Sequence, residues 1–131
     1  MQMSGRYLLD TNVVISLFAK NPLTHERIAQ AAEVFVSCIA VGELYFGACK
    51  STKVQENIAR IDDFVLNNSI LSCTSDIAKR YGTIKNDLKV KGQPIPENDI
   101  WIAAIAQQHS LILVTNDAHF DFIDNLTVEK W

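Results

Sequence analysis

The sequence predicts an α/β fold in which a central, mostly parallel sheet of about five strands carries helices on both faces. Short apolar runs alternate with segments of helical periodicity along the whole chain, which is the order expected of strand–helix–strand units. The run 111–114 is continuously apolar, as is typical of a strand buried between two layers of helices. With 131 residues, 48% of them hydrophobic, the chain fits one core, so we expect a single domain over 1–131.

The first half of the chain predicts two strands and three helices. In order, these are a strand at 7–9, helices at 13–19 and 24–32, a strand at 34–36 that stops at Ser37, and a helix at 39–49. Pro22 is expected to end the first helix, because proline cannot continue one, and Thr24 to cap the second.

The second half predicts three helices and three shorter strands. In order, these are a helix containing Val54 to Val65, a strand at 70–71, a helix from about 75 to 91, a helix at 97–109, a strand at 111–114 and an edge strand at 126–128. Thr74 or Ser75 is expected to cap the long helix. The helix at 97–109 is apolar nearly all round, which indicates that it is buried.

Neither a membrane span nor an export signal is predicted. The longest apolar run, 100–106, is far short of the ~20 residues that cross a bilayer. The segment 1–7 lacks the apolar stretch of a signal peptide, so we expect a cytoplasmic protein with no membrane contact. Three cysteines without CxxC spacing, Cys38, Cys49 and Cys73, are expected to be reduced thiols in the core.

Four acidic residues are expected to meet at the carboxyl edge of the sheet. Asp10 ends the first strand, and Asp117 follows the fourth. Crossover helices run antiparallel to the strands, so Asp99 in a first helical turn and Glu43 about one turn into its helix reach the same edge. Helix capping, dipole compensation, a turn or surface exposure could each explain one of these acids alone. Their joint convergence is the stronger indication of a site.

Unpaired carboxylates in one cleft repel one another. Two unit charges ~5 Å apart at an effective dielectric constant of ~20 repel by roughly 3 kcal/mol. A hard divalent cation relieves this repulsion, and oxygen-only ligands suit Mg²⁺ or Mn²⁺. Such an ion can activate water and stabilise a leaving oxygen, so phosphodiester hydrolysis is the predicted reaction class. A catalytic histidine is then unnecessary, and His25, His109 and His119 are expected to be structural or exposed.

Four short motifs occur in a fixed order nearly from end to end. They are Leu8-Leu9-Asp10-Thr11-Asn12, Gly42-Glu43-Leu44, Asn98-Asp99 leading into Ile102-Ala103-Ala104, and Leu113-Val114-Thr115-Asn116-Asp117. With these motifs the chain resembles a PIN domain, and among PIN domains the VapC toxins of toxin–antitoxin pairs.

That resemblance implies a three-layer PIN-like fold and a Mg²⁺- or Mn²⁺-dependent endoribonuclease. Asp10, Glu43, Asp99 and Asp117 would be the catalytic, metal-binding residues. The substrate would be structured cellular RNA such as tRNA. The resemblance also implies a homodimer and a cognate VapB-like antitoxin that plugs the groove.

Several neighbours of the acids match the family's supporting residues. Thr11 and Ser37 resemble its small hydroxyl residues beside the acids, and Asn116 its polar neighbour of the last acid. Helix capping or turn formation is the other interpretation of these three. Asp121 offers a second acid that could share or replace the role of Asp117.

Contacts with RNA need local positive charge, because the net charge of the chain is -3. Residues 44–91 carry eight basic and five acidic side chains, whereas 92–131 carry one basic and six acidic. The candidate phosphate contacts are Lys50, Lys53, Lys85 and Lys89. A solvated helix face is the alternative interpretation of these lysines.

Apolar side chains on two early helices suggest a protein partner. The two sets are Val14, Leu17 and Phe18 on the first helix, and Leu44, Tyr45, Phe46 and Cys49 on the third. They could bind an antitoxin helix or a second subunit. Core packing is the alternative, because an amphipathic helix buries one face in any case.

Two other functions stay open. A haloacid-dehalogenase-type phosphatase also begins with an aspartate after a strand, but it places a second aspartate two residues later, where this chain has Asn12. That scheme also leaves Glu43 without a role. The other possibility is a non-catalytic PIN module that binds RNA or regulates transcription, and the presence of all four acids counts against it.

Overall fold

The structure, a computed structural model, describes residues 5–131, so most of the segment 1–7 used for the export prediction lies outside the described residues. The strands are β1 (Arg6–Leu9), β2 (Glu33–Ser37), β3 (Ser69–Leu71), β4 (Ile112–Val114) and β5 (Val128–Glu129). The helices are α1 (Thr11–Phe18), α2 (Pro22–Gln30), α3 (Cys38–Cys49), α4 (Val54–Leu66), α5 (Ser75–Lys91) and α6 (Glu97–Gln108), and a short 3₁₀-helix spans Ala118–Phe122. Within the described range, no helix is both long and apolar enough to cross a membrane.

The five strands form one sheet in the order β3-β2-β1-β4-β5. All four strand pairs are parallel, and β5 lies at an edge, so the predicted sheet is confirmed. The chain winds outward from β1 in both directions, with Leu9 paired to Val36 on one side and Val114 on the other. The strands that follow β1 in the chain are first added on one side of it, as β2 and β3, and then on the other, as β4 and β5. The direction of winding therefore reverses between β1 and β4. Sheets of this kind bind ligands at such a switch point, beyond the carboxyl ends of the strands.

Two hydrophobic clusters cover the two faces of the sheet. Leu8 packs with residues of α5 and α6, whereas its neighbour Leu9 packs with residues of α1, α3 and α4. Successive side chains of a strand point to opposite faces, so the alternation of apolar residues in β1 requires helices on both sides. Residues 102–106 of α6 are wholly buried, which confirms the prediction from its apolar composition.

One predicted helix cap is wrong. Pro22 is the first residue of α2, and the side chain of Asn21 caps the helix by accepting from the backbone N–H groups of Leu23 (3.0 Å) and Thr24 (3.3 Å). Proline suits this first position because its nitrogen has no hydrogen to leave unbonded. Thr24 is instead a buried residue of the helix. The other boundaries agree with the prediction to within two residues.

The prediction of three core thiols is also wrong. Cys49 and Cys73 are exposed, and Cys38 is half-buried. Cys49 is the last residue of α3, and Cys73 lies in the loop between β3 and α5. Cysteine is among the residue types most often buried, but two of these three lie at the ends of α3 and the third lies in a loop.

Candidate active site

Asp10 lies at the switch point of the sheet and also caps the helix that follows it. It is buried at the end of β1 and caps α1, with Oδ1 accepting from the backbone N–H of Thr11 at 2.8 Å. Its Oδ2 accepts from the hydroxyl of Thr115 at 2.8 Å and from the side-chain amide of Asn12 at 3.3 Å. Both carboxylate oxygens are therefore held in place at the switch point.

Thr115 connects two of the acids. It follows β4 directly and is fully buried. Its hydroxyl donates to Asp10 and accepts from the backbone N–H of Asp117 at 3.0 Å, so a single oxygen positions both residues. This role of Thr115 was not predicted from the sequence. The sequence feature that could have indicated it is a hydroxyl residue directly after a predicted buried strand and two positions before an acid.

Asp99, Asp117 and His119 form a compact cluster. One possible ligand atom from each lies within 4.8 Å of the others. The Nδ1 atom of His119 is 3.1 Å from Oδ2 of Asp99 and 2.9 Å from Oδ1 of Asp117. This contact was not predicted from the sequence, because Asp99 and His119 are 20 positions apart. Asp121 lies exposed on the 3₁₀-helix and outside this cluster.

Glu43 reaches the same region from α3. It is half-buried, and its Oε1 accepts from the hydroxyl of Thr11 at 2.7 Å. Its charge is near enough to raise the pKa of Asp10. All four predicted acids thus approach one another at the carboxyl edge, contributed by the ends of β1 and β4 and by helices α3 and α6.

Burial and mutual repulsion oppose the ionisation of two of these acids. Desolvation raises the pKa of Asp10 above its ordinary value, and the charges of Glu43 and Asp117 raise it further. Hydrogen bonds from Thr115 and Thr11 lower this pKa but do not cancel the increase. Desolvation likewise raises the pKa of Asp99 to about 6, with added repulsion from Asp10 and Asp117. The hydrogen bond from His119 acts in the opposite direction. The fully ionised site is therefore electrostatically strained.

The donor set fits a hard divalent cation. Carboxylate oxygens dominate the site, and His119 supplies the single nitrogen donor of the group among residues 5–131 that could hold a metal ion. Oxygen-rich sites favour Mg²⁺ or Mn²⁺ over zinc or copper. A cation would also relieve the repulsion that raises the pKa values of Asp10 and Asp99.

The other predicted supporting residues divide into two groups. Thr11 contacts the site through Glu43, as described above. Ser37 caps α3, with its hydroxyl accepting from the backbone N–H of Ala40 at 3.0 Å. This contact corresponds to the helix-capping interpretation of Ser37 rather than to contact with the acids. Asn116 is exposed, and its backbone N–H donates to Oδ1 of Asn12 at 3.2 Å. Asn12, which was weighed only against the phosphatase scheme, therefore links Asp10 to the loop after β4.

The candidate RNA-binding lysines have different surroundings. Lys85 pairs with Glu97 at 2.5 Å, whereas the Nζ of Lys53 is 4.0 Å from Glu56. Lys50 lies over the ring of Phe46, 4.8 Å from its centroid. Lys89 is exposed on α5. Contact of these lysines with RNA stays a prediction.

Replacing Thr115 by valine is expected to weaken metal binding by about 10- to 100-fold, because the hydrogen bond that orients Asp10 is lost. Titration calorimetry with Mn²⁺ measures the change. Thr83→Val is the matched control, since the Thr83 hydroxyl bonds only the backbone carbonyl of Lys79 within α5. Equal affinities for the wild type and the Thr115 variant would contradict the positioning role.

Comparison with known proteins identifies the family of the chain. The sequence matches the PIN domain family over residues 7–126. Ribonuclease VapC2 of Haemophilus influenzae is 43% identical over 129 residues, which cover 96% of this chain and 98% of that protein. The tRNA(fMet)-specific endonuclease VapC of Shigella flexneri is 31% identical over 129 residues, with the same coverage of 96% and 98%.

Solved structures show the same architecture. VapBC2 from Rickettsia felis, bound to a DNA fragment from its promoter, matches with a TM-score of 0.89 and 31% identity over 95% of this chain and 98% of that chain. A toxin–antitoxin complex from Klebsiella pneumoniae matches with a TM-score of 0.71 and 25% identity, covering 94% and 95%. The fold is that of a PIN domain. The chain belongs to the PIN domain family and, within it, to the VapC ribonucleases.

Proposed function

We propose that the protein is a Mg²⁺- or Mn²⁺-dependent endoribonuclease toxin. It would act in the cytoplasm as a homodimer, hydrolyse phosphodiester bonds in structured RNA such as tRNA, and be inhibited by a cognate VapB-like antitoxin. The observation that carries the proposal is the convergence of Asp10, Glu43, Asp99 and Asp117 at the switch point. The names of the relatives, a ribonuclease and a tRNA(fMet)-specific endonuclease, support the substrate class.

The four acids would have different roles in metal binding and hydrolysis. Asp10 and Asp99 are the proposed main metal ligands, and Asp117 completes the set. When bound, the ion supplies Lewis acidity, which lowers the pKa of a water and neutralises charge on the scissile phosphate. Glu43, whose Oε1 accepts from the Thr11 hydroxyl, would hold the ion directly or through a water, and its carboxylate would accept a proton during hydrolysis. Thr115 keeps Asp10 oriented throughout.

Basic and aromatic side chains around the site would hold the RNA backbone. The side chain of His119 is 47% exposed, so it can reach a phosphate as well as the acids. Lys50, Lys53 and Lys89 are the proposed phosphate contacts on the surrounding surface. Lys85 is expected to contribute less, because its charge is already engaged by Glu97.

An apolar groove beside the acids would hold the antitoxin. It encloses about 390 Å³ between α1, α3 and α4, and its lining includes Ile15, Phe18, Leu44 and Ile61. Ile15 is 55% exposed, although it is aliphatic. Glu43 also lines the groove. An amphipathic antitoxin helix bound there would therefore cover the metal site and explain the inhibition.

Replacing Ile15 by glutamate is expected to weaken binding of the cognate antitoxin by about 10- to 100-fold, because an apolar contact is lost and a charge is placed in the groove. Affinity is measured by calorimetry with the purified antitoxin. Val90→Glu is the matched control, because Val90 is 80% exposed but lies on α5, against the other face of the sheet. Equal weakening in both variants would argue against this groove.

The nuclease activity is tested by incubating antitoxin-free protein with total cellular RNA and Mg²⁺, Mn²⁺ or a chelator, and mapping new ends by sequencing. Discrete ends that need metal are expected, and they should fall by about 10³-fold or more with Asp10→Asn. If folded, metal-loaded protein bound RNA but produced no new ends, the proposal would fail and a non-catalytic PIN module would replace it.

A further inference from the structure

Two of the three cysteines lie side by side, beyond the carboxyl ends of β2 and β3. Cys38 is the first residue of α3, directly after β2, and Cys73 lies two residues beyond β3. The strands β2 and β3 are parallel neighbours, with Ser37 opposite Leu71. This register brings two residues 35 positions apart together, and their Sγ atoms are 3.9 Å from each other.

The placement is compatible with a covalent bond between the two sulfurs. Neighbouring strands lie about 4.8 Å apart, and disulfides span Cα distances of roughly 4.4–6.8 Å. A shift of about 2 Å between the sulfurs is therefore enough to bring them to bonding distance. Cys73 is exposed and Cys38 half-buried, so a small reagent can reach the pair.

We propose that Cys38 and Cys73 form a redox-active dithiol, which a low-molecular-weight disulfide of the glutathione type oxidises reversibly to an intramolecular disulfide. The thiolate of one cysteine attacks the small disulfide, forms a mixed disulfide and releases one small thiolate. The second cysteine then attacks the protein sulfur of the mixed disulfide and releases the other. Two protein thiols are oxidised, one small disulfide is reduced to two thiols, and these take up the two protons.

The bond would join the start of α3 to the loop that follows β3. It closes a loop that contains α3, with Glu43, and α4. Desolvation and the adjacent Cys38 thiol raise the pKa of Cys73, so this thiol rests protonated at neutral pH and the exchange is slow. Because closing a long loop restricts the unfolded chain, the oxidised protein should melt roughly 10 °C higher than the reduced protein.

The experiment treats the full-length protein with glutathione disulfide and follows intact mass, non-reducing peptide maps and Tm. The wild type is expected to lose two hydrogen atoms at the Cys38–Cys73 pair, separately from any mixed disulfide at the exposed Cys49. It should link the Cys38 and Cys73 peptides and return to its starting Tm with dithiothreitol. Cys49→Ser is the matched control and should behave as the wild type, because Cys49 lies about 16 Å along α3 from Cys38. Cys38→Ser and Cys73→Ser should stop at the mixed disulfide.

A dithiol-specific arsenical, phenylarsine oxide, gives an independent measurement on the reduced protein. One equivalent is expected to bind the wild type and Cys49→Ser, and none to bind tightly to Cys38→Ser or Cys73→Ser. Persistent mixed disulfides at Cys38 or Cys73 on the folded wild type, a crosslink that involves Cys49, or equal arsenical binding by all four proteins would overturn the proposal.

Discussion

Asp99→Asn is expected to be more stable than the wild type without metal, although it loses RNA cleavage on the order of 10³-fold. The reason is the raised pKa of Asp99, whose side chain is only 12% exposed and beside two further acids. Asparagine has nearly the same shape and carries no charge. It therefore removes both the desolvation and the repulsion of an ionised carboxylate, and with them a proposed metal ligand.

The stability gain should depend on pH. The pKa of Asp99 rises from its ordinary value of 3.8 to about 6 on folding. Between these values the folded protein binds a proton that the unfolded chain releases, so the free energy of unfolding falls as pH rises through about 6. The difference between the two pKa values corresponds to a loss of at most about 3 kcal/mol in the free energy of unfolding. The gain of Asp99→Asn over the wild type should be small near pH 4 and approach this value at pH 8.

Urea unfolding in chelator at several pH values measures this difference. Asp121→Asn is the matched control, because Asp121 is exposed, and it should leave the pH profile unchanged. Saturating Mn²⁺ should stabilise the wild type and reduce the advantage of Asp99→Asn, since an ion that binds only the folded state adds to its stability. A variant less stable than the wild type at pH 8 would contradict the electrostatic account.

Phe120→Ala is expected to lower the free energy of unfolding by about 3–5 kcal/mol. Phe120 is fully buried in the cluster that includes α5 and α6, and it belongs to the 3₁₀-helix that begins immediately after Asp117. The ring is therefore the anchor that fixes Asp117 and His119 beside Asp99. Cleavage activity should fall together with stability.

Phe122→Ala separates anchoring from a general effect of removing an aromatic ring. Phe122 lies on the same 3₁₀-helix but is 43% exposed, so its loss should change the free energy of unfolding by less than about 1 kcal/mol. Denaturant unfolding of both variants measures the contrast. Similar destabilisation by the two substitutions would show that the buried ring has no special role.

The sheet and its acidic edge could be predicted because they depend on periodicity and on the rules of parallel topology. Strands that end at Leu9 and Val114 must point the same way, so the residues after them meet at one edge. The same rule placed Asp99 and Glu43 there through the direction of their helices. These conclusions tolerate errors of one or two residues in each boundary.

The polar contacts around the acids could not be predicted in this way. The bond from Thr115 to Asp10 joins residues 105 positions apart, and its existence depends on side-chain rotamers and on the exact register of β1 and β4. The position of His119 likewise depends on the 3₁₀-helix, whose short turn has no periodic pattern. Cys73 was misplaced for a related reason, because its exposure is decided by the path of a loop.

Anomalous diffraction from crystals grown with Mn²⁺ tests the central claim most directly, since it locates the ion without reference to activity. We expect one or two manganese peaks bounded by the carboxylates of Asp10, Asp99 and Asp117, and loss of the peak at Asp99 in Asp99→Asn crystals. Well-ordered wild-type crystals with no manganese at these acids, or with manganese bound only elsewhere, would contradict the account.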